Sequence, residues 1–292
     1  MTSAADLRTG KGHRDENFPV ASHLIHPRHR RVILAFYEFV RTADDVADNS
    51  QLSETQKIEL LDRLEATLLG SSDAEPVGIR LRAVLAPRRL SPRHAQDLLT
   101  AFRLDATKRR YRDWEDLIDY CAYSAMPVGR FVLDVHGEDR STWIASDKLC
   151  AALQIINHLQ DCGKDFRNLD RVYVPLDAFV AAGASVEQLG GSQATPELRA
   201  CLVALTNRTA PLLEQSIELR GQVEDLRLSL EISVIQAYAR RIIELLRVRD
   251  PLSEKVHLSK AQFAGSGLAA ITAGLLRRIG RPRSSARAPQ DA

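Results

Sequence analysis

A helical spacing of apolar residues, repeated along almost the whole chain, is the feature that most constrains its fold. In the first such stretch, about residues 29–49, apolar side chains recur every three or four positions; they are Val32, Ile33, Phe36, Phe39, Val40, Ala43 and Val46. This spacing is typical of an amphipathic helix with one buried face. Similar patterns predict helices over about 53–70, 77–86, 92–109, 114–136, 142–164, 196–227, 229–249 and 259–279. Only residues 171–176 are strand-like, too few to seed a sheet, so the sequence predicts an all-α fold.

Composition agrees with a helical, globular protein. Glycine (15) and proline (12) are fewer than is usual in 292 residues, which argues against a turn-rich β fold. Hydrophobic residues make up 45% and charged residues 27%, which excludes a disordered chain. A formal net charge of +2 is too small for a surface committed to nucleic acid. We expect a flexible segment over residues 1–16, one helical domain over 17–279 and a basic, disordered tail over 280–292.

The cysteines and the N-terminal segment indicate a cytoplasmic protein. The four cysteines lack the short spacings of a zinc site and lie in apolar helical patterns; they are Cys121, Cys150, Cys162 and Cys201. Reduced core thiols are typical of the cytosol. Residues 1–16 are polar, which predicts no signal peptide, and no stretch has the about 18 consecutive apolar residues of a spanning helix.

Two acidic pairs interrupt the helical pattern, each at the end of an otherwise apolar stretch. Asp44 and Asp48 are four residues apart, as are Asp161 and Asp165, so each pair shares one helix face. With 38 acidic residues, several such pairs are expected by chance, and a solvated face is the default interpretation of either pair alone. The surroundings favour a site, because groups that bind anions or orient metal ligands flank both pairs; these are Tyr37, Arg41, Gln154, Asn157, Lys164, Arg167 and Arg171.

Carboxylates on two facing helices are suited to Mg²⁺. This ion prefers oxygen ligands, keeps several of its waters and binds through carboxylates together with substrate phosphates. Four carboxylates around one cavity would otherwise be partly protonated or destabilising. The sequence therefore predicts a Mg²⁺ site formed by Asp44, Asp48, Asp161 and Asp165. Asp45 faces away from Asp44 and is expected to lie behind these metal ligands.

Four segments follow one another in the order found in the squalene/phytoene synthase family, which the sequence resembles. Residues 36–48 are similar to the first aspartate-rich motif of that family and residues 154–165 to the second. Residues 171–175 resemble the short basic segment after the second motif, and residues 120–125 a helix with a Tyr that faces the reacting isoprenoid. The resemblance extends over about residues 17–260 and implies a single-domain helical bundle of the isoprenoid synthase type around a central apolar cavity.

Three shorter segments, residues 16–22, 105–111 and 124–130, resemble family members that convert presqualene diphosphate to hydroxysqualene. The resemblance implies that Mg²⁺ on the four aspartates binds the diphosphate. Ionisation, rearrangement of the carbocation in the apolar cavity and capture by water would follow. It also implies residue roles: catalysis by Tyr37, Arg41, Tyr123 and Asn157, binding of the diphosphate by Arg41, Gln154, Lys164 and Arg171, and a cavity wall that includes Phe36 and Val128.

Two other functions agree with the same resemblance. One is a head-to-head prenyltransferase that makes presqualene or phytoene diphosphate. The other is a non-catalytic assembly factor, although such family members lose the aspartates that are intact here. An enzyme that forms hydroxysqualene would have a presqualene diphosphate synthase and a hydroxysqualene reductase as pathway neighbours.

Several of these side chains also have a purely structural interpretation. Tyr37 and Tyr123 can be core residues, and Arg41 can form a salt bridge within its own helix. His158 lies on an apolar helix face and is expected to be a core histidine rather than a base. Arg130 is expected either at the surface or on a substrate phosphate.

The C-terminal segment is apolar and rich in small residues over 261–276, and a basic flank follows; it contains Arg277, Arg278, Arg281, Arg283 and Arg287. Two interpretations are open. One is a last core helix with a disordered tail, and the other is a helix on the inner face of the membrane, where a long isoprenoid substrate partitions. Because the arginines are not interleaved with aromatic residues, we expect no nucleic acid partner.

Overall fold

The computed structural model describes residue 4, residues 25–259, and residues 265, 267 and 270–272. This part of the chain forms α1 (Pro27–Asp48), α2 (Glu54–Leu69), α3 (Pro76–Leu85), α4 (Arg93–Thr107), α5 (Trp114–Ser124), α6 (Met126–His136), α7 (Trp143–Leu169), α8 (Leu176–Ala182), α9 (Pro196–Gln215), α10 (Leu219–Gln222) and α11 (Leu226–Val248). Residues 86–88, 140–142 and 186–190 form 3₁₀ turns. The described residues contain no strand, only an isolated bridge between Arg110 and Val172. The prediction of an all-α fold is confirmed.

Helix α1 ends directly after its acidic pair. Asn49 is extended and donates its backbone N–H to the carbonyl of Val46, which closes the last turn. Helix α2 then begins at a reciprocal cap, in which the Ser53 hydroxyl accepts from the Gln56 N–H (3.3 Å) and the Gln56 side chain accepts from the Ser53 N–H (2.9 Å). Asp48 is therefore held at the C-terminal end of a helix, where the backbone already contributes negative charge.

The apolar pattern over residues 114–136 predicts one helix, but the structure has two. Helix α5 ends at Ser124 and α6 begins at Met126, with Ala125 out of helical geometry at φ −131° and ψ −47°. Pro127 explains the break, because it has no N–H for the carbonyl four residues earlier and its ring would clash with that carbonyl. The break changes which side chains of this stretch share a face.

The predicted helix over residues 196–227 is also interrupted, since α9 ends at Gln215. The chain leaves helical geometry again between α10 and α11. There the buried carboxylate of Glu138 accepts the N–H groups of Glu224 (2.7 Å) and Asp225 (2.9 Å). Helix α7 is longer than predicted and continues to Leu169, where Asp170 takes a left-handed conformation with φ +51°. Asp165 is consequently inside the last two turns of α7.

Two groups of buried side chains meet between α1 and α7. The first is built by α1 to α4 together with Phe131 and Val135 of α6, and the second by α5 to α11 with residues of α4. Helices α6 and α7 approach closely at Gly129, where a Cβ would lie 2.6 Å from the Cys150 sulfur and would also meet Ser146. This packing places the acidic ends of α1 and α7 on opposite sides of one cavity.

Several expectations concern residues outside the described part. Of residues 1–16 only Ala4 is described; it is buried and donates its N–H to Glu75 (3.1 Å). The tail over 280–292 lies outside the described residues, as does most of the predicted helix over 259–279, of which residues 265, 267 and 270–272 are helical. Gly267 is buried against the Tyr238 hydroxyl of α11. None of the described helices combines the length and apolar character needed to cross a membrane.

Candidate active site

A cavity of about 350 Å³ lies where α1, α4, α5, α6 and α7 meet. Its wall has an apolar part and a polar part. The apolar part consists of Val40, Leu98, Phe102, Val128 and Leu169, and the polar part of Tyr37, Arg41, Asp44, Asp48, Asp105, Tyr120, Ser124, Gln154, His158, Asp165, Arg171 and Tyr173. Such a cavity can hold a ligand with a charged end and a hydrocarbon body.

The two acidic motifs face each other across this cavity. Asp44 and Asp48 reach it from α1 and Asp165 from α7. Asp161 lies one turn before Asp165, close enough to raise the pKa of that carboxyl. Both pairs occupy C-terminal ends of helices, where negative side chains are unfavourable. The aspartates therefore concentrate negative charge at one cavity, although the backbone at these helix ends is already negative.

The pKa values of these carboxyls respond to that concentration. Burial, the neighbouring Asp161 and the facing Asp48 raise the pKa of Asp165 to about 7. Enclosure by protein and the Asp48 carboxylate also raise the pKa of Asp44, although Arg41 opposes the shift. Without a cation the carboxyls favour protonation, so this donor set fits a divalent ion.

The aspartates do not form a closed cage around one ion. Within the described residues, the three metal-ligating side chains whose ligand atoms all come within 4.8 Å of one another lie elsewhere, at His29, His136 and Asp225. Open carboxylate sites of this kind suit Mg²⁺, which completes its coordination with water and substrate phosphates.

Two buried cations hold the end of α1 in place. The Arg171 guanidinium donates to the Asp48 carboxylate, to the carbonyl of Ala47 (2.8 Å) and to the carbonyl of Asp105 (2.9 Å). The Lys57 ammonium donates to the same Ala47 carbonyl (2.8 Å) from α2. Arg171 thus fixes Asp48 against α4, and Lys57 is a second cation that the sequence analysis missed.

Arg41 engages both neighbouring aspartates within its own helix. One guanidinium nitrogen lies 2.6 Å from the Asp44 carboxylate and another 2.9 Å from the carboxylate of Asp45, which is buried. The salt bridge left open by the sequence is therefore present. Because Arg41 also lines the cavity, the same guanidinium can face a bound anion.

A buried network of tyrosines surrounds Asp105, whose backbone carbonyl accepts from Arg171. The Tyr120 hydroxyl donates to the Asp105 carboxylate (2.9 Å), and so does the Tyr173 hydroxyl (2.9 Å). Burial raises the pKa of Asp105 to about 6, while Arg171 and the two phenols limit the shift. The sequence alone did not point to these three residues as site residues, although all three stand inside segments that carry the family resemblance.

His158 is part of the same wall. Its ring stacks on Tyr173 with centroids 3.6 Å apart, and its Nε2 lies 3.2 Å from the Gln154 side-chain nitrogen. Burial and the nearby Arg171 lower the pKa of His158 to about 3. His158 is therefore a neutral side chain of the cavity wall, which agrees with its expected role as a packed histidine rather than a base.

Other predicted residues lie away from the cavity lining. Phe36 is buried in the core with its ring stacked on Phe131 at 3.8 Å. Tyr123 is 40% exposed, and Tyr120, one turn earlier, holds the inward position. Lys164 is exposed on α7 but lowers the pKa of Asp165. Asn157 is half-buried on α7.

Arg130 is half-buried and is not among the residues that line the cavity. Its guanidinium forms a two-point ion pair with Asp147 (2.8 and 2.6 Å) and lies 5.1 Å from the centre of the Trp143 ring. Arg130 therefore links α6 to the start of α7.

Known proteins are similar to this chain in sequence and in fold. The sequence profile of the squalene/phytoene synthase family matches residues 12–262. Hydroxysqualene synthase of Rhodopseudomonas palustris is 59% identical over 278 residues, and that of Sinorhizobium fredii is 53% identical over 278 residues; each alignment covers 95% of both chains. The crystal structure of squalene synthase HpnC from Alicyclobacillus acidocaldarius superposes with a TM-score of 0.71 at 30% identity, over 84% of this chain and 91% of that one. The chain belongs to the squalene/phytoene synthase family.

Proposed function

We propose that this protein is a hydroxysqualene synthase, which ionises presqualene diphosphate and adds water to give hydroxysqualene and diphosphate. The observation that carries the proposal is the identity of 59% and 53%, over nearly the full length of both chains, to proteins of that name. The cavity supports it, because one part of its wall is acidic and the other apolar.

The acidic part would bind the diphosphate. Asp44, Asp48, Asp161 and Asp165 are the residues that would hold Mg²⁺, and bound Mg²⁺ would supply Lewis-acid stabilisation of the departing diphosphate. Arg171 keeps the Asp48 carboxylate in position through its three hydrogen bonds. Exposed Lys164 on α7 and cavity-lining Arg41 add positive charge near the same phosphates.

The apolar part would enclose the carbocation. Val40, Leu98, Phe102 and Val128 offer no nucleophile, so the cation can rearrange before it is captured. Tyr37 and Tyr120 present aromatic rings, which stabilise a nearby cation. Formation of hydroxysqualene is redox-neutral, so this step requires no hydride donor.

The Asp105 network would position the capturing water. Tyr120 and Tyr173 both donate their hydroxyl protons to Asp105, which leaves each phenol oxygen as an acceptor. A water held by such an acceptor would direct its own lone pair towards the cation. Tyr120 lines the cavity and is therefore better placed for this role than Tyr123, the residue of α5 that the sequence predicted.

Turnover of defined substrates tests the proposal. The purified protein with Mg²⁺ should convert presqualene diphosphate to hydroxysqualene, with one oxygen from labelled water found by mass spectrometry. Asp44→Asn should abolish the reaction, whereas Asp119→Asn, at an exposed position of α5, should not. Formation of presqualene or phytoene diphosphate from smaller prenyl diphosphates would instead identify a prenyltransferase. Absence of any turnover would favour a non-catalytic assembly factor.

Peripheral contact with the inner face of the membrane belongs to the same proposal. The substrate and product are long isoprenoids, and residues 261–276 with their basic flank have the composition of an interfacial helix. Cosedimentation with anionic vesicles should be lost when residues 261–292 are removed. The proposed pathway neighbours are a presqualene diphosphate synthase and a hydroxysqualene reductase.

A further inference from the structure

A group of metal-ligating side chains lies outside the cavity, where three helices meet. His29 is in the first turn of α1, His136 is the last residue of α6, and Asp225 caps the start of α11. Their ligand atoms all lie within 4.8 Å of one another. None of the three lines the cavity. The group is therefore separate from the acidic motifs.

His136 is oriented as metal-bound histidines are. Its Nδ1 lies 2.8 Å from the carbonyl oxygen of Val132, and because a carbonyl only accepts, Nδ1 carries the proton. The lone pair is then on Nε2, which is buried and has no hydrogen-bond partner in the described part of the chain. A histidine whose other nitrogen donates to a backbone carbonyl is the usual form of a metal ligand. The unpartnered nitrogen is the observation that points to a missing ligand.

Asp225 adds a negative oxygen that the fold holds in place. Its backbone N–H donates to the buried Glu138 (2.9 Å), and its carboxylate accepts from the Leu228 N–H (2.9 Å). A carboxylate has more acceptor positions than this cap uses.

His29 is buried, and its ring centroid lies 4.2 Å from that of His136. Above the ordinary histidine pKa of about 6.5 an imidazole is neutral, which is the form that metals require. Arg28 donates to the Nε2 of His29 (2.7 Å), and an Arg88 nitrogen lies 3.3 Å from its Nδ1. A neutral imidazole has only one acceptor nitrogen, so the two arginines cannot both donate to it. Both arginines are exposed, and one can turn into solvent when an ion binds.

We propose that His29, His136 and Asp225 form a Zn²⁺ site that joins the ends of α1, α6 and α11. Two imidazole nitrogens and one carboxylate oxygen are a common three-ligand zinc set, completed by water. Imidazole ligands favour zinc and related transition metals over Mg²⁺. The two rings have centroids 4.2 Å apart and are tilted by 33°, so a small rotation of one ring is needed for both nitrogens to reach one ion.

Zinc titration of the full-length protein by calorimetry at pH 7.5 tests this proposal. The Asp44→Asn, Asp165→Asn background removes one carboxylate from each acidic motif and so weakens zinc binding there. We expect one Zn²⁺ per chain, at least tenfold weaker binding in His136→Gln, and unchanged binding in His257→Gln, a variant of an exposed histidine. Zinc should also raise the melting temperature of the parent protein but not of His136→Gln.

The arginines provide a test that a purely structural cluster would fail. Arg88→Ala removes a positive charge beside His29, so it should tighten zinc binding severalfold, while Arg89→Ala, also at an exposed position, should not. X-ray absorption of the zinc complex should show two imidazoles. Equal zinc affinity in the parent and His136→Gln proteins, or no binding at 100 µM (about the concentration at which a built site should be filled), would overturn the proposal. Circular dichroism confirms that each variant is folded.

Discussion

The guanidinium of Arg171 donates a hydrogen bond to the carboxylate of Asp48, a residue 123 positions earlier in the chain. The same side chain reaches the carbonyls of Ala47 and Asp105. Arg171, in the segment after α7, is therefore one buried cation that links the end of α1 to the end of α4. The position of the first acidic pair relative to the second depends on this contact.

Replacement of Arg171 by lysine should reduce kcat/KM by about 10- to 100-fold. A lysine has no planar fork and cannot reproduce three directed hydrogen bonds, and each bond to a charged group contributes about 1.5–3 kcal/mol. Steady-state turnover of presqualene diphosphate measures the effect. Arg110→Lys is the matched control, since Arg110 is less buried and pairs with the exposed Asp170. Equal losses in both variants would show that Arg171 has no special role.

The acidic pairs and most helices could be predicted because both depend on local spacing. Asp44 and Asp48 share a face of α1 whatever α1 packs against, and the two partners in the capping box of α2, Ser53 and Gln56, are only three residues apart. Local spacing does not show which helix faces α1 across the cavity. Asp105 lies on the buried face of α4, three residues after Phe102, but its spacing does not reveal that Tyr120 and Tyr173 approach it as donors.

The choice between the two tyrosines of α5 shows the same limit. Tyr120 and Tyr123 are three residues apart and both fit the face of a continuous helix. In the structure α5 ends one residue after Tyr123, which is 40% exposed, whereas Tyr120 is buried. Local patterns do not report that difference. Similarly, Arg130 could not be assigned because its partner Asp147 belongs to another helix.

Tyr120→Phe should lower turnover at least tenfold, whereas Tyr123→Phe should leave it unchanged. The first variant removes a buried donor to Asp105, and leaving such an acceptor short of a partner costs about 1–3 kcal/mol. The second removes a hydroxyl from a residue that is 40% exposed. The ratio of hydroxysqualene to dehydrated products, measured by gas chromatography, reports water positioning separately from folding. A larger defect in Tyr123→Phe would reverse the assignment.

Without divalent ions, the stability of the protein should fall as pH rises from about 6.5 to about 8. The pKa of Asp165 is raised to about 7, that of Asp105 to about 6, and that of Asp44 is also raised, so the folded state binds more protons than the unfolded state above the ordinary pKa of these groups. Their contribution is therefore lost as pH rises through the folded pKa. The pKa values of His29 and His158 are lowered to about 4 and 3, so their contribution is lost as pH falls below about 6.5.

Thermal unfolding between pH 5 and pH 8 (about the range over which these groups change charge) measures this dependence. Mg²⁺ should raise the melting temperature most at the alkaline end, because there the carboxylates are ionised and repel one another. Asp165→Asn should flatten the alkaline slope, and Asp170→Asn, at an exposed position, should not. A melting temperature that increases steadily up to pH 8 without Mg²⁺ would contradict the assigned shifts.

Gly129→Ala should destabilise the protein by about 1–3 kcal/mol, the usual range for an overpacked core position. The added Cβ would lie 2.6 Å from the Cys150 sulfur and would also meet the Ser146 hydroxyl, which is too close for either contact. The free energy of unfolding in urea measures the cost. In a background with Ser146→Ala and Cys150→Ala, both obstacles are removed, so the same substitution should cost clearly less. An equal cost in the two backgrounds would mean that backbone effects, rather than the approach of α6 to α7, require glycine at this position.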